Sequence, residues 1–206
     1  MKKTVIILSI LITCVISYGQ NRFRAGIKAG ISTSQVAGDT YSGFNKAGVE
    51  GGLFLTGLLN EKWNAQFEML FIQKGSKHIG DYKNADYSFY LMKLNYIEVP
   101  ILLQYRQKKF IFEIGPGFGY LINAKEYDYY GEITNALTSF NKTEITANIG
   151  INYSLYKNLS ITWRYTNSIS SIRDFASGEK RWYNPGERNN VLSFSLIYKF
   201  GTNESE

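Results

Sequence analysis

The segment 95–105, NYIEVPILLQY, is compatible with few environments. At a period of two, Ile97, Val99, Ile101, Leu103 and Tyr105 share one face, and Tyr96, Glu98, Pro100, Leu102 and Gln104 share the other. Successive side chains of a strand point to opposite faces. One that is apolar on one side, with a carboxylate and an amide on the other, divides an apolar medium from a polar one.

Seven further stretches obey the same rule. Segment 23–32 sets Phe23, Ala25, Ile27, Ala29 and Ile31 against Arg24, Gly26, Lys28, Gly30 and Ser32. Segments 47–57 and 63–74 place Glu50 and Glu68 opposite Val49, Leu53, Phe67 and Met69, and Lys74 ends the second of them. Segments 110–123, 143–155, 159–168 and 190–200 repeat the alternation, with Glu113, Glu144 and Arg164 on their polar faces. The connections 33–46, 76–91, 124–142 and 169–189 are long, whereas 58–62, 106–109 and 156–158 are short. Long and short connections therefore alternate. This order predicts an all-β fold: an eight-stranded antiparallel up-and-down transmembrane β-barrel with short periplasmic turns and long extracellular loops. Aromatics near strand ends (Phe23, Trp63, Tyr105, Phe110, Tyr120, Tyr153, Tyr165 and Phe200) suit interfacial girdles. The rival is a soluble eight-stranded cup, apolar inside and polar outside. Glycines, amides and opposite charges crowd the polar face, as a narrow lumen needs and a solvent face rarely does, so we place it inside.

The first twenty residues, MKKTVIILSILITCVISYGQ, have a basic start at Lys2 and Lys3 and an apolar run over 4–16. Thirteen helical residues rise about 20 Å, short of a hydrocarbon core of about 30 Å. Residues 1–19 are thus expected to be a signal peptide, cut after Gly19 and before Gln20, leaving 20–206 as one barrel domain. Leu11-Ile12-Thr13-Cys14 is a weaker, lipoprotein-like alternative. Cys14 is the only cysteine, so cleavage leaves no disulfide or thiol chemistry. Basic and acidic residues are interspersed around a net charge of +6, with no polybasic arm, and nucleic acid is not indicated.

With the first strand GIKAGIS, the pair FEMLFIQKG and YIEVPILLQY, the glycine-spaced EIGPGFGY and the ending SLIYKF in view, the chain resembles a known family. It is similar to the small outer-membrane β-barrel proteins of Bacteroidetes-type bacteria, the PorT or "porin" family. The resemblance covers nearly the whole mature chain. It implies an outer-membrane barrel with a periplasmic N-terminus and no settled activity. The segment 201–206, running past Phe200, departs from the aromatic-terminated pattern.

Pointed inward, the polar faces gather Arg24, Lys28, Lys74, Arg164 and Lys199 with Glu50, Glu68, Glu98, Glu113 and Glu144. Isolated buried charges cost several kcal/mol, so these groups are expected to pair into a plug. Pro100 is expected to mark a bulge or bend. The single histidine, His78, falls in an expected loop, and Asp81/Asp86 and Glu126/Asp128 read as solvated or as a calcium site. We expect no catalytic group, cofactor or metal. The outer loops carry Tyr82, Tyr90, Tyr129, Tyr130, Trp182 and Tyr183, which suit either partner contact or packing among themselves. The function read from the sequence is a non-enzymatic outer-membrane barrel, monomeric, in contact with lipid and presenting its loops to an envelope or protein partner. The alternative is a narrow channel or transport conduit.

Overall fold

The computed structural model describes residues 23–134, 138–175 and 186–201. The expected leader 1–19, Trp182, Tyr183 and the tail beyond Gly201 lie outside the described residues. The strands are β1 Phe23–Ala37, β2 Lys46–Leu58, β3 Trp63–Ile79, β4 Phe89–Gln107, β5 Phe110–Asp128, the short β6 Gly131–Glu132, β7 Thr143–Ser154, β8 Leu159–Ser168 and β9 Arg188–Lys199. β1 to β5 and β7 to β9 each pair antiparallel with their chain neighbours. β9 returns to β1, from Gly26↔Lys199 to Ala37↔Arg188, and closes the ring. Closure gives every long strand two partners, and the seam between β2 and β3 opens above Glu50↔Ile72. β6 adds only to β5.

Burial settles which face is inside. Ile31, Leu53, Ile101 and Ile149 are 64%, 60%, 57% and 57% exposed, whereas Glu68 and Lys74 are 0% exposed. The outer surface is thus an apolar band, ringed at one end by Trp63 packed on Tyr105 (4.9 Å) and Phe110 on Tyr153 (5.1 Å). At that end the turns are tight. The side chain of Asn60 accepts the N–H groups of Lys62 (3.0 Å) and Trp63 (2.9 Å), and the β4–β5 turn puts Lys108 at φ 55°. Small residues make room inside: a Cβ on Gly150 would lie 2.7 Å from Oε1 of Glu113.

β3, β4 and β5 run 17, 19 and 19 residues, far beyond the ten or so expected from alternation. Their upper parts reverse the pattern. Met92 and Leu94 point inward and are fully buried, while Lys93 is exposed on the outer face. In β5 the phase slips at a register shift opposite Asn95/Tyr96, where Tyr96 pairs with Leu121 and Asn95 with Asn123. Pro100, by contrast, pairs in register with Gly117, so the irregularity sits five residues above the proline. His78, expected in a loop, is part of β3.

Candidate functional site

The lumen is filled by stacked layers of side chains. In the lowest, Arg24, Arg106 and Lys199 face one another and repel. No carboxylate among the described residues pairs with Arg24 or Lys199, so neither belongs to the ion-pair network expected for them. The cause is position: Arg24 and Lys199 lie at the ends of β1 and β9, at the mouth, where water is close.

Above them is the densest charge cluster. Arg164 of β8 donates from Nη1 and Nη2 to the two carboxylate oxygens of Glu68 (2.7 and 2.8 Å) and from Nε to Glu113 (2.7 Å). Lys28 of β1 pairs with Glu50 at 3.0 Å and approaches Glu68 at 3.8 Å. Polar neighbours occupy the remaining lone pairs. Gln66 donates to Glu68 (2.6 Å), Asn152 and Gln104 donate to Glu113 (2.8 and 3.2 Å), and the Ser195 hydroxyl donates to Glu50. All eight long strands contribute to this one cluster, so it ties opposite walls together.

A second cluster sits higher. Lys74 of β3 reaches Glu98 of β4 at 2.8 Å and Glu144 of β7 at 3.1 Å, with its ammonium 5.0 Å from the Tyr96 ring centre. Thr146 donates to Glu98 (2.9 Å), and Asn189 (3.1 Å) and Ser168 donate to Glu144. Hydrogen bonds of this kind offset part of the cost of burying the ions. The structure thus brings Lys28, Glu50, Glu68, Glu113 and Arg164 together, and Lys74 and Glu98 with Glu144.

An apolar layer with no counterpart in the sequence reading closes the upper lumen. Val36, Ile72, Met92, Leu94, Tyr96, Leu121, Ile172 and Val191 form a single buried cluster. Ile172 comes from the long β8–β9 connection, its N–H bonded to the Glu187 carbonyl at 2.8 Å. The signal was present in the apolar residues 92, 94 and 96 of β4. It was hidden because they continue the polar face of the membrane-height strand.

At the outer rim Arg173 bonds Glu126 (2.8 Å) and Glu187 (2.9 Å). Burial works against its charge, but these hydrogen bonds outweigh it and raise its pKa. Burial also pushes the Glu187 carboxyl up, against the pull of Arg173. Tyr90, placed in an outer loop by sequence, instead lies in β4, where its hydroxyl bonds Glu126 and its ring stacks on Tyr41 at 5.0 Å. Tyr41 stacks in turn on His78 (4.6 Å), which contacts Asp86 at 3.1 Å. Hydrogen bonds from Ser88 and then His78 lower the Asp86 pKa to about 2. Tyr129 and Tyr130, 74% and 94% exposed, meet edge to face at the tip of the β5–β6 turn. Tyr82 opens the 3-10 turn Tyr82–Asn84.

The carboxylates of Asp81 and Asp128 bind protein groups instead of standing free for calcium. Asp81 binds the Lys83 N–H (3.0 Å) and Asn84 side chain (2.9 Å), and Asp128 binds the Tyr130 and Gly131 N–H groups (2.7 and 3.1 Å). Among the described residues, no group of three or more potential ligands could hold a metal ion.

Residues 18–174 match the family described as "Outer membrane protein beta-barrel domain". Among solved structures, the chain is similar to Ail, the attachment invasion locus protein of Yersinia pestis. The two are 17% identical, with a TM-score of 0.52 over 87% of this chain and 99% of that one. It is likewise similar to Neisserial surface protein A, with 13% identity and a TM-score of 0.52 over 85% of this chain and 97% of that one. Both likenesses concern the fold. No curated protein matches the sequence. An apolar outer band, a closed ring and this match agree on location: the chain belongs to the outer membrane protein beta-barrel domain family and resides in the outer membrane, in contact with its lipid.

Proposed function

We propose that this protein is a non-enzymatic, monomeric outer-membrane barrel that works as an interaction platform, its lumen a structural plug and its extracellular rim the contact surface. One observation carries the reading: the lumen is filled from Lys28 to Ile172, first by paired charges and then by packed apolar side chains. An eight-stranded ring has an interior just wide enough for side chains, and here they occupy it. The activity therefore belongs to the outside. Among the described residues the exposed pair Tyr129–Tyr130 is the most prominent aromatic feature there, and large exposed aromatics make good interface anchors. The narrower placement among PorT-type proteins is supported by GIKAGIS and YIEVPILLQY.

The test is a photo-crosslinking residue at position 130, in cells, with a control at Tyr156 on the opposite, periplasmic side. An adduct of discrete mass at 130 and none of that mass at 156 supports the platform. Lipid adducts alone at 130 overturn it.

A further inference from the structure

Above the apolar belt the outer wall changes chemistry between β2 and β5. β2 and β3 stop pairing at Glu50↔Ile72, although β2 extends to Lys46 and β3 to Ile79. From that point β3 leans across the mouth toward β1. The buried Ser32 and Ser34 of β1 donate their hydroxyls to the carbonyls of Gln73 and Gly75, each at 2.9 Å. The parted strands leave a pocket of about 430 Å³ between the end of β2 and the outer face of β3, β4 and β5.

Four lysines line this pocket, Lys46, Lys77, Lys93 and Lys125, with amide side chains between them and no carboxylate in the wall. Lys93 and Lys125 stand directly opposite in the β4–β5 register. Like charges so placed destabilise a sheet. Lys125 has a counter-charge in Glu132 at 3.2 Å, on the solvent side. Among the described residues no ion pair reaches Lys46, Lys77 or Lys93, although Lys46 is only 6% exposed. A folded chain that gathers ammonium groups around a hollow without neutralising them leaves that task to a ligand.

The height of the pocket narrows the choice. Asn95 lines it, and the next outward residue down the strand, Ile97, already belongs to the apolar face, about 7 Å lower. Exposed Val49 and the outward Phe71 flank it from below. The pocket thus opens sideways where the headgroups of outer-leaflet lipids lie. We propose that it binds the phosphates of an anionic outer-leaflet glycolipid, whose acyl chains run down the belt beneath.

The test uses the full barrel in nanodiscs of neutral phosphatidylcholine, doped with diphosphorylated lipid A or with its phosphate-free counterpart, and reads retained lipid by native mass spectrometry. Wild type is expected to retain the phosphorylated form selectively. One lysine beside an anionic headgroup is worth about a five-fold gain in binding, so Lys77→Gln with Lys93→Gln should weaken retention roughly 30-fold. Lys157→Gln, on the periplasmic turn, should leave it unchanged. In discs without phosphorylated lipid the double variant should unfold no earlier than wild type, because it relieves the Lys93–Lys125 repulsion. Equal retention of the two lipids, selectivity that survives the double substitution, or earlier unfolding of the variant in phosphate-free discs would each overturn the proposal. So would inorganic pyrophosphate displacing lipid A at equal concentration, which would make the occupant a soluble anion.

Discussion

At membrane height, Ile101 and Ile149 face out and Glu68, Lys74 and Glu113 face in; higher on the same sheet, Met92, Leu94 and Leu121 face in and Lys93 and Lys125 face out. The sheet is the same one, with β4 and β5 paired from Gln107↔Phe110 to Tyr90↔Asp128 across a single register shift. Only the medium outside changes. Where lipid bathes the wall, apolar side chains belong outside, and the interior holds polar groups that must satisfy one another. Where water bathes the wall, the interior becomes an ordinary hydrophobic core. The register shift at Asn95/Tyr96 lies at this change and lets β5 exchange the side chains on its two faces.

The two regions differ most in their response to loss of a charge, and Arg164 is where that loss is largest. Removing the guanidinium in Arg164→Met strands Glu68 and Glu113 in a dry interior, and losing one partner of a buried pair costs about 3–5 kcal/mol. Denaturant unfolding in lipid vesicles should show that loss, and adding Glu68→Gln and Glu113→Gln should recover part of it. In the upper core, Leu94→Ala should cost about 2–5 kcal/mol through transfer and cavity terms alone, with no rescue from any charge substitution. Next come the outer faces. Ile101→Arg should cost about 2–4 kcal/mol if it faces hydrocarbon, and Ile79→Arg, at the watery upper end of β3, about 0–1 kcal/mol. Equal costs would erase the boundary between the two regions. The smallest effect is expected outside both, at the turn. Lys108 holds φ 55°, a conformation glycine adopts without penalty, so Lys108→Gly should stabilise the barrel by up to about 1 kcal/mol in the same assay.

The sequence made the lower region legible because a lipid-facing strand announces itself: Ile97, Val99, Ile101 and Leu103 recur at period two beside Glu98 and Gln104. Strand number, pairing order and the side of the short turns follow from it. The upper region was not legible by that rule. Tracking one apolar face along β4 ends at Ile97, where Asn95 and Lys93 take over, so strand reads as loop. Tyr90 and His78 therefore read as loop residues although they lie in β4 and β3. At the candidate site, alternation shows that Glu68, Glu113 and Arg164 point inward. It cannot show that all three meet, since β3, β5 and β8 come together only through ring closure and strand stagger. Nor can it separate Arg24 and Lys199, at the mouth, from Lys28 two repeats of the alternation higher. The apolar plug depends on Ile172, a residue in an irregular connection whose neighbours give no period at all.

A lumen sealed by two charge clusters and an apolar layer should carry no current, and planar-bilayer recording of the refolded barrel measures that current. The structure predicts silent membranes for wild type at every voltage that leaves the bilayer intact. A steady, ohmic conductance that changes with Glu98→Gln or Arg164→Ala would contradict a sealed lumen, because ions would then be passing through the charge clusters.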